Sequence, residues 1–551
     1  MLVLPDASHL LGTICINVKT LMQITINGDN SYHMNLMKAM ATVAGMTGLS
    51  RIAGFARDIL TAAYLGAGPA GDAFFVALKL PNFFRRVTAE GAFSIAFVPI
   101  YSKTIERENK ETADLFASNA FMVMLSILSV VTLLALMMMP YVIQAIAPGF
   151  TGDPVRSPLA IELARITFPY LLLMSLTALL GGVLNAVNRF APFAFAPVLF
   201  NLSLITALLL SDHFETTGHA LSWGVLVAGF LQLGFLWGCA KRAGIKITFA
   251  LPKMDADIRK LLKIMGPAVL GAGVVHINLF ADLILASFLE TGSISYLYYA
   301  DRLNQLPLGV VGIAVGTALL PMLSRAMMKD DKQHAQDLFN RALEICLLLA
   351  LPAAIALAII PLSLVSVLFE RGAFDAADSQ ITANVLMAYA LGLPAYIAIK
   401  VFSTAHWARG DTKTPVRISI VATLLNIALS IILIQYIGVV GIALATGLTG
   451  WLQFYLHVRA LRDHPSAKFD KRFLMNMPKI ILSSCLMGGG VYILAALLQG
   501  FIFDGTTLFQ VIGLAIVICS GGVLYGASIL ITGVIKPQDI KKLLLKKGQK
   551  T

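Results

Sequence analysis

Charge is what this chain has least of. Only 13% of its 551 residues are Asp, Glu, Lys or Arg, against roughly a quarter in soluble domains. Hydrophobic residues make up 58%, and the mean hydropathy is +0.80. So few polar groups cannot cover that much apolar surface, which excludes a water-soluble globule. Disorder, which needs low hydrophobicity and high charge, is excluded as well. Cysteine is also scarce. Cys15, Cys239, Cys346, Cys485 and Cys519 are scattered, with no CxxC and no His/Cys pairing, so neither a disulfide framework nor a metal cluster is expected. There is no P-loop, nucleophile elbow or HExxH, and no loop is long enough for a soluble catalytic domain. A transporter is expected rather than an enzyme, with no cofactor.

What is present is a series of apolar runs about 20 residues long, the length of a membrane-spanning helix. Gly, Pro and charge clusters separate them. The reading is an all-α integral membrane protein with about fourteen spans. They are expected at 41–66, 71–101, 116–147, 160–187, 192–211, 219–240, 261–289, 294–323, 338–369, 380–407, 417–436, 439–458, 474–498 and 508–534. The second carries Pro81 in its middle and is expected to kink or break. Residues 1–33 lack a basic start, a long apolar stretch and a small-residue cleavage site, so they are read as a poorly structured extension or a mis-assigned start before Met34, not as a signal peptide.

The net charge of +12 reflects membrane topology more simply than nucleic-acid binding. Lys and Arg cluster in alternate loops, as in Lys103/Arg107/Lys110, Lys241 to Lys260, Arg325 to Lys332, Arg409 to Arg417 and Arg459 to Arg472, whereas the other loops hold Arg156 and Arg371. By the positive-inside rule both termini are cytoplasmic.

The chain also repeats. VPIYSK with Pro99 resembles LPMLSR with Pro321, ARDIL with Asp58 resembles FADLIL with Asp282, and FPYLLL with Pro169 resembles LPAYIA with Pro394. The offsets are 222, 224 and 225 residues, and Asn201 falls near the counterpart of Asn426. A shift of six spans leaves both halves pointing the same way. Two six-helix lobes related by a pseudo-two-fold axis along the membrane normal are therefore expected, with a central cavity. The expected divisions are an N-lobe at 34–242, a cytoplasmic linker at 243–260, a C-lobe at 261–460, a further helix pair at 461–535 and a basic tail at 536–551, whose KKLLLKK could meet anionic headgroups.

Ionisable residues within spans are costly and usually face a cavity. The first span holds Arg51, Arg57 and Asp58. Arg51, Gly54 and Asp58 share a stripe, so Asp58 is expected to neutralise Arg51 while Arg57 points elsewhere. The second span holds Asp72, Lys79, Asn82, Arg85, Arg86 and Glu90, with 72, 79, 86 and 90 on nearly one face. In the eighth, Tyr298, Asp301, Arg302 and Gln305 form a stripe, and Lys400 lies in the tenth. These residues could instead be charge pairs that join helices, a reading that fits Asp58, Asp72 and Asp301 as counter-ions and, near a membrane surface, Arg86 and Glu90. Across the spans, however, cations 51, 57, 79, 85, 86, 302 and 400 outnumber anions 58, 72, 90, 282 and 301. The guanidinium surplus suits a phosphate-bearing cargo. His276 and Asn278 are read as satisfied polar groups, and Asp330 and Asp331 as a solvated turn.

From Met34 onward the chain resembles the lipid II flippase family (MurJ/MviN) of the multidrug/oligosaccharidyl-lipid/polysaccharide exporter superfamily. The likeness rests on SRIAGFARD (50–58), GDAFFVALKLPNFFRRVTAEGAFSIAFVPIY (71–101), NRFAPFAFAPVLFN (188–201), YYADRLNQLPLGVVGIAVGTALLP (298–321) and GDTKTPV (410–416). The resemblance implies a fourteen-helix protein of the inner membrane. Such a protein moves an undecaprenyl-pyrophosphate-linked disaccharide-pentapeptide to the outer leaflet for peptidoglycan synthesis, by alternating access. The family's essential cavity residues match Arg51, Arg57, Asp72, Arg85 and Arg302, with Gly54, Asn82 and Glu90 in support. Gln305 stands where members often carry Glu, so no carboxylate role transfers there. The last two spans resemble the family's groove for the polyprenyl tail. The implied partners are lipid II, membrane lipids and cell-wall synthesis machinery, with the protein acting as a monomer and driven by a coupling ion or the membrane potential. The rival readings are a drug/cation antiporter or another polyprenyl-linked oligosaccharide flippase of the superfamily, an integral-membrane polyprenyl-phosphate enzyme, and a scaffold.

Overall fold

A computed structural model describes residues 36–84, 94–275, 277–314, 319–328 and 331–535. The architecture is all-helical. Among the described residues, ten helical segments are long and apolar enough to cross a membrane, from Lys110–Met137 to Thr507–Ile531. Four expected spans, the first, second, seventh and eighth, are not among them. In those four stretches the described helices are Leu36–Leu65; Pro69–Phe84 and Ser94–Arg107; Ala256–Val275 and Ile277–Ser287; and Ser293–Ala314 and Leu320–Met328. By the repeat these are the same two positions in each half. Of the second expected span, 71–101, the described parts are the helices Pro69–Phe84 and Ser94–Arg107; residues 85–93 lie outside the described residues. Pro81 lies inside Pro69–Phe84, and Pro99, the repeat counterpart of Pro321, lies inside Ser94–Arg107.

The chain forms two compact units. The first comprises residues 1–61, 76–143 and 154–274. Its core is aromatic and aliphatic: buried Phe97 stacks on Tyr101 and Phe116 at 5.6 and 5.3 Å, with Leu179, Leu180 and Leu236 fully buried in the same cluster. Of the expected linker 243–260, residues 245–255 form an extended strap along the helix Lys110–Met137, and 256–260 already belong to the helix Ala256–Val275. Asp114 accepts from the Lys246 N–H (3.1 Å), Ser118 from the Thr248 N–H (3.0 Å), and Asn119 from the Lys253 N–H (2.8 Å). Asn119 also donates to the Lys253 carbonyl at 2.8 Å. An extended segment has no internal backbone partners, so these side chains supply them.

The second unit comprises residues 62–75, 144–153 and 275–551. The turn between the first two helices therefore belongs with the chain's second half. Gly66, at φ +67°, lies so close to Ala373 that a Cβ would stand 2.4 Å from its carbonyl oxygen, and the Ala373 N–H donates to the Ala63 carbonyl at 2.8 Å. Only glycine satisfies both demands at position 66. The helices Ala376–Ala408 and Val439–Leu461 approach closely through Gly392 and Gly447, where a Cβ on Gly392 would meet the Gly447 Cα at 2.6 Å. Such small-residue contacts stand in for the hydrophobic drive that is missing in lipid. Asn340 on Lys332–Ile359 repeats the device of Asn119. It donates to the Lys468 carbonyl (2.8 Å) and accepts from the Asp470 N–H (3.1 Å), and so holds the segment leading to the final helix pair. Arg341 bridges Glu344 and Asp470 beside it.

The GDTKTPV segment is a helix start. Asp411 accepts from the Thr414 N–H at 3.0 Å and pairs with buried His406 at 3.1 Å. The Thr414 N–H and hydroxyl hold the Asp411 carboxyl down to about 2, so it is ionised throughout the physiological range.

Candidate functional site

The first helix, Leu36–Leu65, carries the densest group. Arg57 is buried, 9% exposed, and its NH2 and Nε donate to Asp58 Oδ1 at 2.6 and 3.2 Å. Its NH1 donates to Asn201 Oδ1 at 2.9 Å, and the guanidinium lies 5.8 Å from the centre of the Phe200 ring. Asn201 in turn donates to the Ser50 carbonyl at 2.9 Å, which ties the helix Ala191–Leu209 to the first helix. Gly54 leaves room for this contact: a Cβ there would stand 3.4 Å from the Asn201 amide nitrogen. The expected pairing of Arg51 with Asp58 is thus corrected. Asp58 is neutralised by its own neighbour, because the long arginine side chain folds back on a carboxylate one residue ahead. Arg51 is exposed and has no ion-pair partner among the described residues.

Asp72 is fully buried and accepts hydrogen bonds from the start of a distant helix. Oδ2 accepts from the Gly292 N–H at 2.8 Å, and Oδ1 accepts from the Ser295 N–H and hydroxyl at 3.0 and 2.8 Å. It therefore caps the start of the helix Ser293–Ala314, satisfying amides that have no partner within that helix. Tyr299 donates to the Gly66 carbonyl at 3.1 Å beside it.

On the same helix the guanidinium of half-buried Arg302 lies over the Tyr298 ring at 4.5 Å, and Tyr298 stacks on Phe75 at 3.9 Å. This cation–π contact fixes the direction of the guanidinium. Gln305 is exposed and donates to Asp301. Lys400 donates to the Leu308 carbonyl at 3.3 Å. Lys79 and Asn82 are half-buried on Pro69–Phe84. Arg85, Arg86 and Glu90 lie outside the described residues, as do residues 1–35 and the tail 536–551. Among the described residues no group of three or more His, Cys, Asp or Glu could hold a metal ion.

Sequence reasoning placed Asn201 only as a repeat anchor and did not count it in the site. Its matched Asn426 was the available signal. Asn426 donates to Asp282 Oδ1 (3.3 Å) and Asn278 Oδ1 (2.9 Å) and accepts from Thr446, so each half brings its repeat asparagine to the aspartate's neighbourhood. The arrangement around Arg57 can hold an anion on guanidinium donors at the edge of a buried, charge-balanced group.

Comparison with known proteins identifies the family. The family profile described as "Lipid II flippase MurJ" matches residues 61–513. The chain is 40% identical over 509 residues to a Rhizobium tropici protein named a probable lipid II flippase MurJ, covering 91% of this chain and 95% of that one. It is 35% identical over 434 residues to the lipid II flippase MurJ of Burkholderia cenocepacia, covering 78% and 84%. Among solved structures, it superposes on a lipid II flippase MurJ in an inward closed conformation with TM-score 0.74 at 29% identity, covering 89% of this chain and 98% of that one. An inward-facing multidrug-resistance MATE transporter matches with TM-score 0.64 at 14% identity, covering 77% and 98%, a likeness of fold alone.

Proposed function

The chain belongs to the lipid II flippase MurJ family, and on that premise we propose that it carries lipid II across the cytoplasmic membrane for peptidoglycan synthesis, with the diphosphate of the cargo held by arginines of the first helix. It is a transporter, not an enzyme. The observation that carries the residue assignment is the exposed Arg51 on the helix that also presents the buried Arg57–Asp58–Asn201 group. Arg51 meets the diphosphate first. The diphosphate then competes with Asp58 for the Arg57 guanidinium, a counter-ion exchange that spares either charge from standing bare in a low-dielectric site. Arg302, oriented by Tyr298, and Asn82 and Arg85 are the further residues assigned to the cargo. Lys79, Arg86, Glu90, Asp301, Gln305 and Lys400 shape the surrounding polarity.

Fourteen spans in two repeated six-helix halves plus a C-terminal pair, with both termini cytoplasmic, complete the reading. The repeat supports alternating access, and the basic loops support the orientation. The final pair takes the polyprenyl tail. The protein works as a monomer beside the cell-wall synthesis machinery. A net charge moved with the cargo would gain about 2.3 kcal/mol per 100 mV of membrane potential, so the potential or an ion gradient can bias the cycle. Conditional depletion with leaflet-resolved measurement of the lipid-linked precursor tests the function. Build-up on the inner leaflet followed by lysis is expected; an unchanged precursor distribution with altered drug efflux would reverse the reading in favour of an antiporter.

A further inference from the structure

We propose that the end of the helix Val439–Leu461 and the segment after it form a binding site for an anionic glycerophospholipid, separate from the residues assigned to the cargo. A cavity of about 410 Å³ opens there, with the buried Phe402 ring, Val458 and Phe469 as apolar walls and Arg462, Lys468 and Asp463 as its charged groups. Arg462 and Lys468 are exposed, so they can close on a ligand from the solvent side. Two cations and one carboxylate leave the lining at +1, which complements the single negative charge of a phosphodiester.

A lipid is favoured over a soluble anion by what leads into the cavity. Trp451, Tyr455, Val458 and Arg462 are spaced i, i+4, i+7 and i+11, one stripe of a helix. Trp451 is 44% exposed and Tyr455 56%, so the stripe is an open apolar track on a spanning helix. From Trp451 to Arg462 it runs about 16 Å at 1.5 Å per residue, close to half of a bilayer core about 30 Å thick. One acyl chain can lie along that track while its phosphate reaches Arg462 and Lys468. Basic pockets between spanning helices recognise headgroups in this way.

The full-length protein, purified and placed in a phosphatidylglycerol/phosphatidylcholine mixture without any precursor, is examined by native mass spectrometry for retained lipid. The site predicts preferential retention of phosphatidylglycerol. It also predicts a roughly tenfold or greater loss of that preference in R462Q/K468Q, the scale of losing charge-assisted hydrogen bonds. Val458→Trp, which fills the cavity and keeps both cations, is expected to lose the preference too. Equal retention of the two lipids overturns the proposal, as does an unchanged preference in both variants. So does loss in the charge variant alone, which would mark general surface attraction. Displacement of the lipid by inorganic phosphate would mark a free-anion site instead.

Discussion

The two halves of the molecule place the same elements around the same position and fill it differently. In the first half, Asp58 is paired with Arg57, and Asn201 holds that arginine at 2.9 Å. In the second half, the matched Asp282 stands among Asn278 and Asn426, and Ala281 occupies the place of Arg57. The duplicated scaffold supplies a carboxylate and an amide in both halves, the carboxylate buried at Asp58 and half-buried at Asp282, and only the first half adds a guanidinium. The difference teaches how a buried arginine is tolerated: its carboxylate sits next to it, and under the proposed function that carboxylate is the group an incoming phosphate would replace.

The largest expected effect comes from moving that guanidinium. Arg57→Ala should abolish complementation of a depleted strain and leave precursor on the inner leaflet, and adding Ala281→Arg should not restore growth. Rescue by the double variant would show the halves to be interchangeable and break the comparison. Asp72→Ala comes next. It leaves two buried N–H groups and a hydroxyl without their acceptor, so a loss of about 2–4 kcal/mol is expected in thermal or denaturant unfolding. Asp58→Asn sharpens the exchange idea. With the competitor gone, affinity for the diphosphate headgroup should rise several-fold while turnover falls, and an unchanged or weaker affinity would count against it. Asn201→Leu and Asn426→Leu should each cost about 1–2 kcal/mol of stability, but the first should depress transport more. The smallest effect is expected for Gly54→Ala. Its added methyl meets Asn201 at ordinary contact distance, so stability should change by only about 0.5 kcal/mol.

The periodic and duplicated parts of this account were legible in the sequence. Asp58 and Asp282, and Asn201 and Asn426, could be matched by offset before any coordinates, and the charged stripe of residues 298–305 does lie on one helix. The pairings were less legible. Adjacent helical residues normally face apart, so Arg57 was expected to turn away from Asp58, and only the reach of its side chain overturns that geometry. Asp72 reads as one more intramembrane acid because its partners, the amides of Gly292 and Ser295, lie some 220 residues along the chain and leave no local mark. The strap at 245–255 reads as part of a loose basic linker because its order depends on Asp114, Ser118 and Asn119, polar residues whose bonds to a distant extended backbone follow no periodic pattern.

The central claim is that first-helix guanidinium groups recognise a diphosphate. The most direct test is to measure binding of lipid II and of its monophosphate analogue to the wild-type protein and to an R51A/R57A variant. The wild type should favour the diphosphate by about tenfold or more, in line with the added charge-assisted hydrogen bonds, and the variant should bind both equally weakly. A variant that keeps the wild-type preference would contradict the account.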